Sequence, residues 1–283
     1  MKGKTGMKVA FQGELGAFSQ QAIRQFLGAR ARPIPCQQFD QVFTALAEKQ
    51  VDCAAVPIEN TLHGSIHENY DLLLKHDFTV TAETNVRIVM NLIAPPGVSF
   101  RQVRRVFSKD VALNQCRDFF AAHKRIEQEI FYDTAGSVKM IMRDRPPGGA
   151  AIASALAAKI YGAKILKSEI EDDRQNYTRF FLLEPAGAKP RTPRGSGKKA
   201  WKTSLVFSTR NIPGALFRAL SALALRDLNL VKVESRPLRG KPWEYLFYLD
   251  LIGRQDDEKV RHALGHLGEL ADFLRVLGSY RVA

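Results

Sequence analysis

The chain has 283 residues, 45% hydrophobic and 25% charged, a composition that suits a globular protein long enough for two or three compact units. Three early lysines are not followed by an uncharged apolar stretch of signal-peptide length, and no run approaches the length of a bilayer span, so a cytoplasmic location is expected, with no membrane partner. The formal charge of +13 does not make a nucleic-acid binder: Lys2, Lys4, Lys8, Lys189, Arg191, Arg194, Lys198, Lys199 and Lys202 lie in two acid-free segments, and subtracting these nine from +13 leaves +4, which reads as charge on a tail and a linker rather than a basic face with interleaved aromatics.

Residues 8–11 predict a strand and 19–27 a helix. Residues 40–49 predict a second helix with Val42, Phe43 and Leu46 on one stripe, and 53–56 a buried strand ended by Pro57. Helical spacing resumes over 66–74, residues 87–94 read as a strand, and Pro95-Pro96-Gly97 as a turn. Helices over 111–123, 135–143 and 155–161 and strands over 150–153 and 178–183 follow. This alternation predicts an α/β architecture with mainly parallel sheets and ligands at strand carboxyl ends. Residues 186–200 hold Gly187, Pro190, Pro193, Gly195 and Gly197 among basic residues and read as a linker. Beyond it, strand 203–208, helix 214–225, strands 230–236 and 245–252, helix 257–267 and strand 273–280 make a ferredoxin-like βαββαβ unit. No catalytic cluster is evident there, which points to regulation or association.

Asn176-Tyr177-Thr178-Arg179, followed by Phe180 and Phe181, sets a hydroxyl beside a guanidinium where an apolar strand begins. The pair suits an anionic substrate that must lose a hydroxyl, since a threonine donates to a departing oxygen and an arginine fork fits a carboxylate. Pro57-Ile58-Glu59-Asn60-Thr61 is expected at a strand's carboxyl edge, with Gly64-Ser65 turning the chain and leaving backbone N–H groups for an anion. On local pattern alone Glu59 and Asn60 read first as turn and capping residues and second as site residues. Gln12-Gly13-Glu14-Leu15-Gly16-Ala17-Phe18-Ser19 is a glycine turn without the third glycine of a dinucleotide fingerprint or the P-loop lysine, and Thr134-Ala135-Gly136-Ser137 opens a helix in the same way. His63 with His67, and His262 with His266, lack a third ligand at a familiar spacing, so a metal is not expected. Cys36, Cys53 and Cys116, odd in number and widely spaced, are expected to be reduced and buried.

Read together, FQGELGAFSQQA (11–22), VPIENTLHGSIHENYDLLL (56–74), residues 108–119, YDTAGSVKMI (132–141) and 151–183 ending in NYTRFFLL resemble the prephenate dehydratase family. The C-terminal unit, with Gly214-Ala215-Leu216 and Glu234-Ser235-Arg236-Pro237, resembles an ACT regulatory domain. The resemblance implies a catalytic domain over 7–185 with two lobes like those of type II periplasmic binding proteins and chain crossings near 83–87 and 164–169. It further implies a basic linker over 186–201 and an ACT domain over 202–283.

The implied activity is that of a carbon–oxygen lyase turning prephenate into phenylpyruvate, water and carbon dioxide for phenylalanine biosynthesis, without a metal or organic cofactor. Arogenate dehydratase is the nearest alternative, and a non-catalytic amino-acid-binding regulator a more distant one. Thr178, Arg179, Glu59 and Asn60 are the implied catalytic residues. Gly13, Ser19, Thr61, Gly64, Ser65, Thr134, Ala135, Asn176 and Phe180 are expected around the substrate. Thr178 would assist the departing hydroxyl, with Glu59 as the second candidate acid, while Arg179 and the N–H groups near Thr134 and Ala135 would hold the pyruvyl carboxylate. L-Phenylalanine is the implied allosteric inhibitor, bound near Asn211, Gly214, Ala215, Leu216, Glu234 and Ser235 in a homodimer or homotetramer paired through ACT domains. One departure stands out: Lys109-Asp110 follows Ser108 where the family commonly has His-Pro, so no histidine is available there and the loop reads as structural.

Overall fold

The computed structural model describes residues 6–191, 199–238 and 243–283. Lys2, Lys4, Arg194 and Lys198, with the 192–198 part of the expected linker, lie outside the described residues. The chain divides into two compact units, Met1–His76 with Thr84–Leu182, and Asp77–Glu83 with Leu183–Ala283.

The strands and helices before the second unit's βαββαβ part form two α/β lobes. One is built from β1 (Lys8–Gln12), α1 (Phe18–Leu27), β2 (Arg32–Cys36), α2 (Phe39–Ala47), β3 (Cys53–Asn60), the short β4 (Gly64–Ser65), α3 (His67–Lys75) and β5 (Phe78–Arg87). Its sheet is completed by β11 (Tyr177–Pro185) in the order β2-β1-β3-β11-β5, with β1 parallel to β2 and β3. The other lobe holds β6 (Asn91–Ala94), β7 (Arg105–Ser108), α4 (Asp110–Asn114), α5 (Arg117–Ala122), β8 (Glu127–Ile130), α6 (Thr134–Asp144), β9 (Gly149–Ala153), α7 (Ala155–Tyr161) and β10 (Lys164–Lys167). Its strand order is β10-β6-β9-β7-β8, with β7 parallel to β8 and β9. The inner strands are continuous apolar runs, Val9-Ala10-Phe11, Cys53 to Val56 and Ala150 to Ala153, as in strands buried on both faces; the second sheet is mixed rather than mainly parallel, since β6 is antiparallel to β9 and β10.

Several elements differ from expectation for identifiable reasons. β3 does not end at Pro57 but runs through it to Asn60, since the Pro57 carbonyl still finds a donor in Asn69 Nδ2 at 2.7 Å and a proline forfeits only an N–H. Gly64 and Ser65 form not a free turn but β4, paired with Asn60 and Glu59. The expected strand over 87–94 is two strands in different sheets, so the first crossing is at residues 88–90 and the second at 168–176, a few residues beyond the expected positions. The expected helix over 111–123 breaks at Gln115 and Cys116, where the Asp172 carboxylate accepts from the backbone N–H groups of Arg117 and Asp118. Edge strands β2, with Pro33 and Pro35, and β8, with three polar residues in four, lack the pattern by which strands are read.

The second unit carries β12 (Trp201–Ser208), α8 (Ala215–Ala224), β13 (Leu230–Pro237), β14 (Tyr245–Ile252), α9 (Glu258–Leu270) and β15 (Phe273–Arg281), an antiparallel sheet in the order β13-β14-β12-β15. Alternation sends Leu205, Phe207, Leu249 and Leu251 to one face, where Ala219, Leu223, Val260 and Leu267 of the two helices close the core. Two of the basic residues read as solvated charge are paired here: Arg191 donates to both oxygens of Glu184 at 2.6 and 2.7 Å, and Lys202 meets the buried Glu83 at 2.7 Å. Among the described residues no helix is long and apolar enough to cross a membrane.

Candidate active site

The site is organised by Asn60, the last residue of β3, beside the start of β11. Its Nδ2 donates to Asn176 Oδ1 (2.7 Å), Thr178 Oγ1 (3.0 Å) and the Tyr177 carbonyl (3.1 Å). Its Oδ1 accepts from the backbone N–H groups of Leu62 and His63, so turn chemistry and site geometry use the same side chain. Thr61 completes the splice, exchanging bonds with Tyr177 and donating from its hydroxyl to the Gln175 carbonyl. Because the Thr178 oxygen already accepts from Asn60, its O–H is aimed elsewhere. Thr178, 8% exposed, lines a cavity of about 390 Å³.

Phe18, Phe39, Ile66, Ile88, Met90 and Val111 give this cavity apolar walls that suit a ring, and Ser19, Gly64 and Ser65 line it with Thr178. The second lobe contributes Lys109, Gln115, Asp133 and Thr134. Contacts between the lobes hold the geometry. Ser154 caps α7 by accepting from the Ala157 N–H and donates across to the Gly16 carbonyl at 2.6 Å. Gly16 has φ +97°, and a Cβ there would stand 2.6 Å from the Ala157 Cα, so only glycine permits this approach. Asp133 accepts from Gly136 N–H at 2.7 Å, capping α6, and from the backbone of Glu14. Burial pushes its carboxyl up from the ordinary aspartate range, against those two N–H groups and the Lys109 ammonium, which pull it down. Tyr132 and Lys139 bond the Glu14 carboxylate at 3.1 and 3.0 Å.

The residues expected around the substrate sort into three groups. Thr178, Asn60, Ser19, Gly64, Ser65 and Thr134 line the cavity. Asn176 is fully buried and serves as Asn60's partner, while Ala135 and Phe180 lie in the core and Gly13 packs against Asp133, where a Cβ would come within 2.9 Å of Oδ2. Glu59, Thr61 and Arg179 line a different cavity of about 400 Å³ with Asn85 and Tyr177. The strand period of two is the reason: if Thr178 faces the ring-sized cavity, Arg179 must face away. There its guanidinium lies 3.8 Å from Glu59 Oε2 and 4.9 Å from the centroid of Phe181, which carries the same parity. The expected arginine clamp and the glutamate acid are therefore not on the cavity that holds Thr178.

Lys109, His63, Gln115 and Asp133 are among the cavity residues not singled out from the sequence as substrate contacts. Lys109, read as part of a structural loop, is on the wall. His63 and Gln115 face each other with His63 Nε2 2.8 Å from Gln115 Nε2. Asp133, the N-cap of α6, is also a wall residue. Cys36, Cys53 and Cys116 are all free thiols; Cys36 is half-buried rather than buried, and burial with the nearby Asp172 and Glu171 charges pushes the Cys116 thiol up. In the second unit, Gly214 has φ +74° at the start of α8, Ala215 opens the helix, and Leu216 packs on the core. Asn211 donates to the Trp243 carbonyl at 3.3 Å, Glu234 meets Lys232 at 3.1 Å, and Ser235 is exposed on edge strand β13.

Comparison with known proteins matches the family model described as prephenate dehydratase over residues 9–188 and that of the ACT domain over 203–269. The chain is 42% identical over 285 residues to arogenate dehydratase/prephenate dehydratase 2, chloroplastic, of Arabidopsis thaliana, a match covering 98% of this chain and 73% of the relative. Among solved structures, prephenate dehydratase in complex with L-Phe from Arthrobacter aurescens superposes with a TM-score of 0.87 at 32% identity, covering 98% of this chain and 90% of the other. GqqA, described as a novel type of quorum quenching acylase, superposes at 0.88 with 30% identity and 98% coverage of both chains. A two-lobed α/β unit with a hydroxyl poised in its cleft, followed by a βαββαβ unit, and these matches over nearly the whole length, place the chain in the prephenate dehydratase family of lyases, with an ACT domain at its C-terminal end.

Proposed function

We propose that the chain catalyses the decarboxylating dehydration of prephenate to phenylpyruvate, water and carbon dioxide, with the catalytic part over 7–185, a linker over 186–201 and a regulatory ACT part over 202–283. The observation that carries this reading is the Thr178 hydroxyl, whose oxygen lies 3.0 Å from the Asn60 Nδ2 donor in a cavity with apolar walls. Electrons of the ring C–CO2 bond move into the ring as carbon dioxide leaves, the ring becomes aromatic, and the para hydroxyl departs with a proton as water. Thr178 is too weak an acid to supply that proton outright; it donates a hydrogen bond to the departing oxygen, a role worth about 10²- to 10⁴-fold. Asp133, the carboxyl on this cavity's wall and raised by burial, is better placed to feed the proton than Glu59. The ring carboxylate must become neutral carbon dioxide, so strong pairing with it would slow the reaction, whereas the surviving pyruvyl carboxylate can be held firmly.

A second reading, the same chemistry on arogenate, is favoured by the plant relative at 42% identity and by the Asp133 carboxyl, which suits an ammonium in place of the keto oxygen. L-Phenylalanine is proposed to bind the ACT part and inhibit by preferring a less active state. Val231 and Val233, exposed on the edge of β13, support pairing of this part into a homodimer or homotetramer. Three free thiols support a reducing, cytoplasmic setting. Phenylpyruvate formation from prephenate, beside phenylalanine formation from arogenate, tests the two readings together: turnover of prephenate alone supports the first, a clear preference for arogenate the second, and turnover of neither contradicts both.

A further inference from the structure

The substrate proposed above carries two carboxylates, yet the arginine beside Thr178 faces a different cavity. Among the described residues lining the Thr178 cavity, Lys109 is the one lysine or arginine. Its backbone is firmly mounted. Ser108 before it donates from Oγ to the Ile152 carbonyl at 2.7 Å, and the Lys109 carbonyl accepts from the N–H groups of Ala112 and Leu113. The residue stands at the carboxyl end of β7, where side chains of an open parallel sheet reach a ligand. No hydrogen bond or ion pair among the described residues engages its ammonium, and its charge acts on Asp133 at the start of α6, next to Thr134 of the same wall.

We propose that Lys109 is the carboxylate-binding residue of this site, pairing with the carboxylate that survives the reaction, together with the backbone at Thr134. The assignment rests on the dehydratase reading and deepens it, since it names the residue that would hold the substrate's surviving carboxylate. A lysine here is a compact charge on a flexible stem, able to follow the carboxylate as the ring flattens. It binds ground state and transition state alike, so its loss belongs in KM rather than kcat.

Steady-state kinetics of the full chain and of Lys109→Met and Lys109→Arg, with thermal unfolding of each, test the assignment. Lys109→Met should raise KM for prephenate by about 10- to 100-fold, the effect of removing a charged hydrogen-bond donor, with kcat changed by less than about threefold and the unfolding temperature unmoved. Lys109→Arg should recover most of the loss. If the parent turns over prephenate while Lys109→Met keeps KM within about twofold, the assignment is wrong and the dehydratase reading stands. A parent that turns over neither prephenate nor arogenate overturns the reading and the assignment with it.

Discussion

Thr178 and Arg179 are adjacent in sequence and were read as one functional pair, but a strand separates neighbours onto opposite faces. Their substitutions should therefore differ in kind. Thr178→Val, which removes the hydroxyl and keeps the shape, should lower kcat by about 100-fold or more with little change in KM. Arg179→Lys should leave KM within about threefold, because the guanidinium lies against Glu59 and Phe181 rather than in the cavity; a larger rise would restore the clamp. The two carboxyls separate likewise. Glu59→Gln should keep kcat within about threefold, whereas Asp133→Asn should lower it by more than about tenfold if Asp133 feeds the proton. Progress curves of phenylpyruvate formation read all of these. The opposed directions of Thr178 and Arg179 were legible in the expected strand, whereas that of Glu59 was not, because only the passage of β3 through Pro57 puts Glu59 and Asn60 in a strand.

Elements carry the geometry through their ends. Ser154→Ala removes both the cap on α7 and the bond to Gly16, and should cost about 1–2 kcal/mol in urea unfolding. Asp133 makes the cap of α6 dependent on pH. Burial raises its carboxyl, so the folded chain holds that proton more tightly than the unfolded chain, and the resulting stability is complete below the ordinary aspartate range near about pH 4 and is lost as pH rises through the raised value. Asp133→Asn keeps an acceptor for Gly136 without the charge. Its melting temperature relative to the parent should climb as pH increases from about 4 toward 7; a difference independent of pH would mean the carboxyl is not perturbed. Long apolar elements such as α2, β9 and α8 were legible because core contact fixes their pattern. The polar edge strands β2 and β8, and the break at Gln115-Cys116 capped by the distant Asp172, depend on partners far away in the chain.

At the level of the whole chain, the change from alternating strand-helix units to βαββαβ was plain from element order alone. The placement of Lys109 was not. It follows Ser108 in a loop with no local pattern, and only the crossing of the chain at 88–90 and 168–176 brings that loop over the residues of β3 and β11. The division of labour predicts that L-phenylalanine raises the unfolding temperature in proportion to the logarithm of its concentration above Kd, as a ligand of the native state must; no shift at millimolar phenylalanine would count against a binding site in the ACT part.

The most direct single test is the rate of phenylpyruvate formation from prephenate by the intact chain, compared with Thr178→Val at matched, confirmed folding. The account predicts ready turnover by the parent and a fall of about 100-fold or more in kcat for the variant; turnover that survives the loss of this hydroxyl would contradict it.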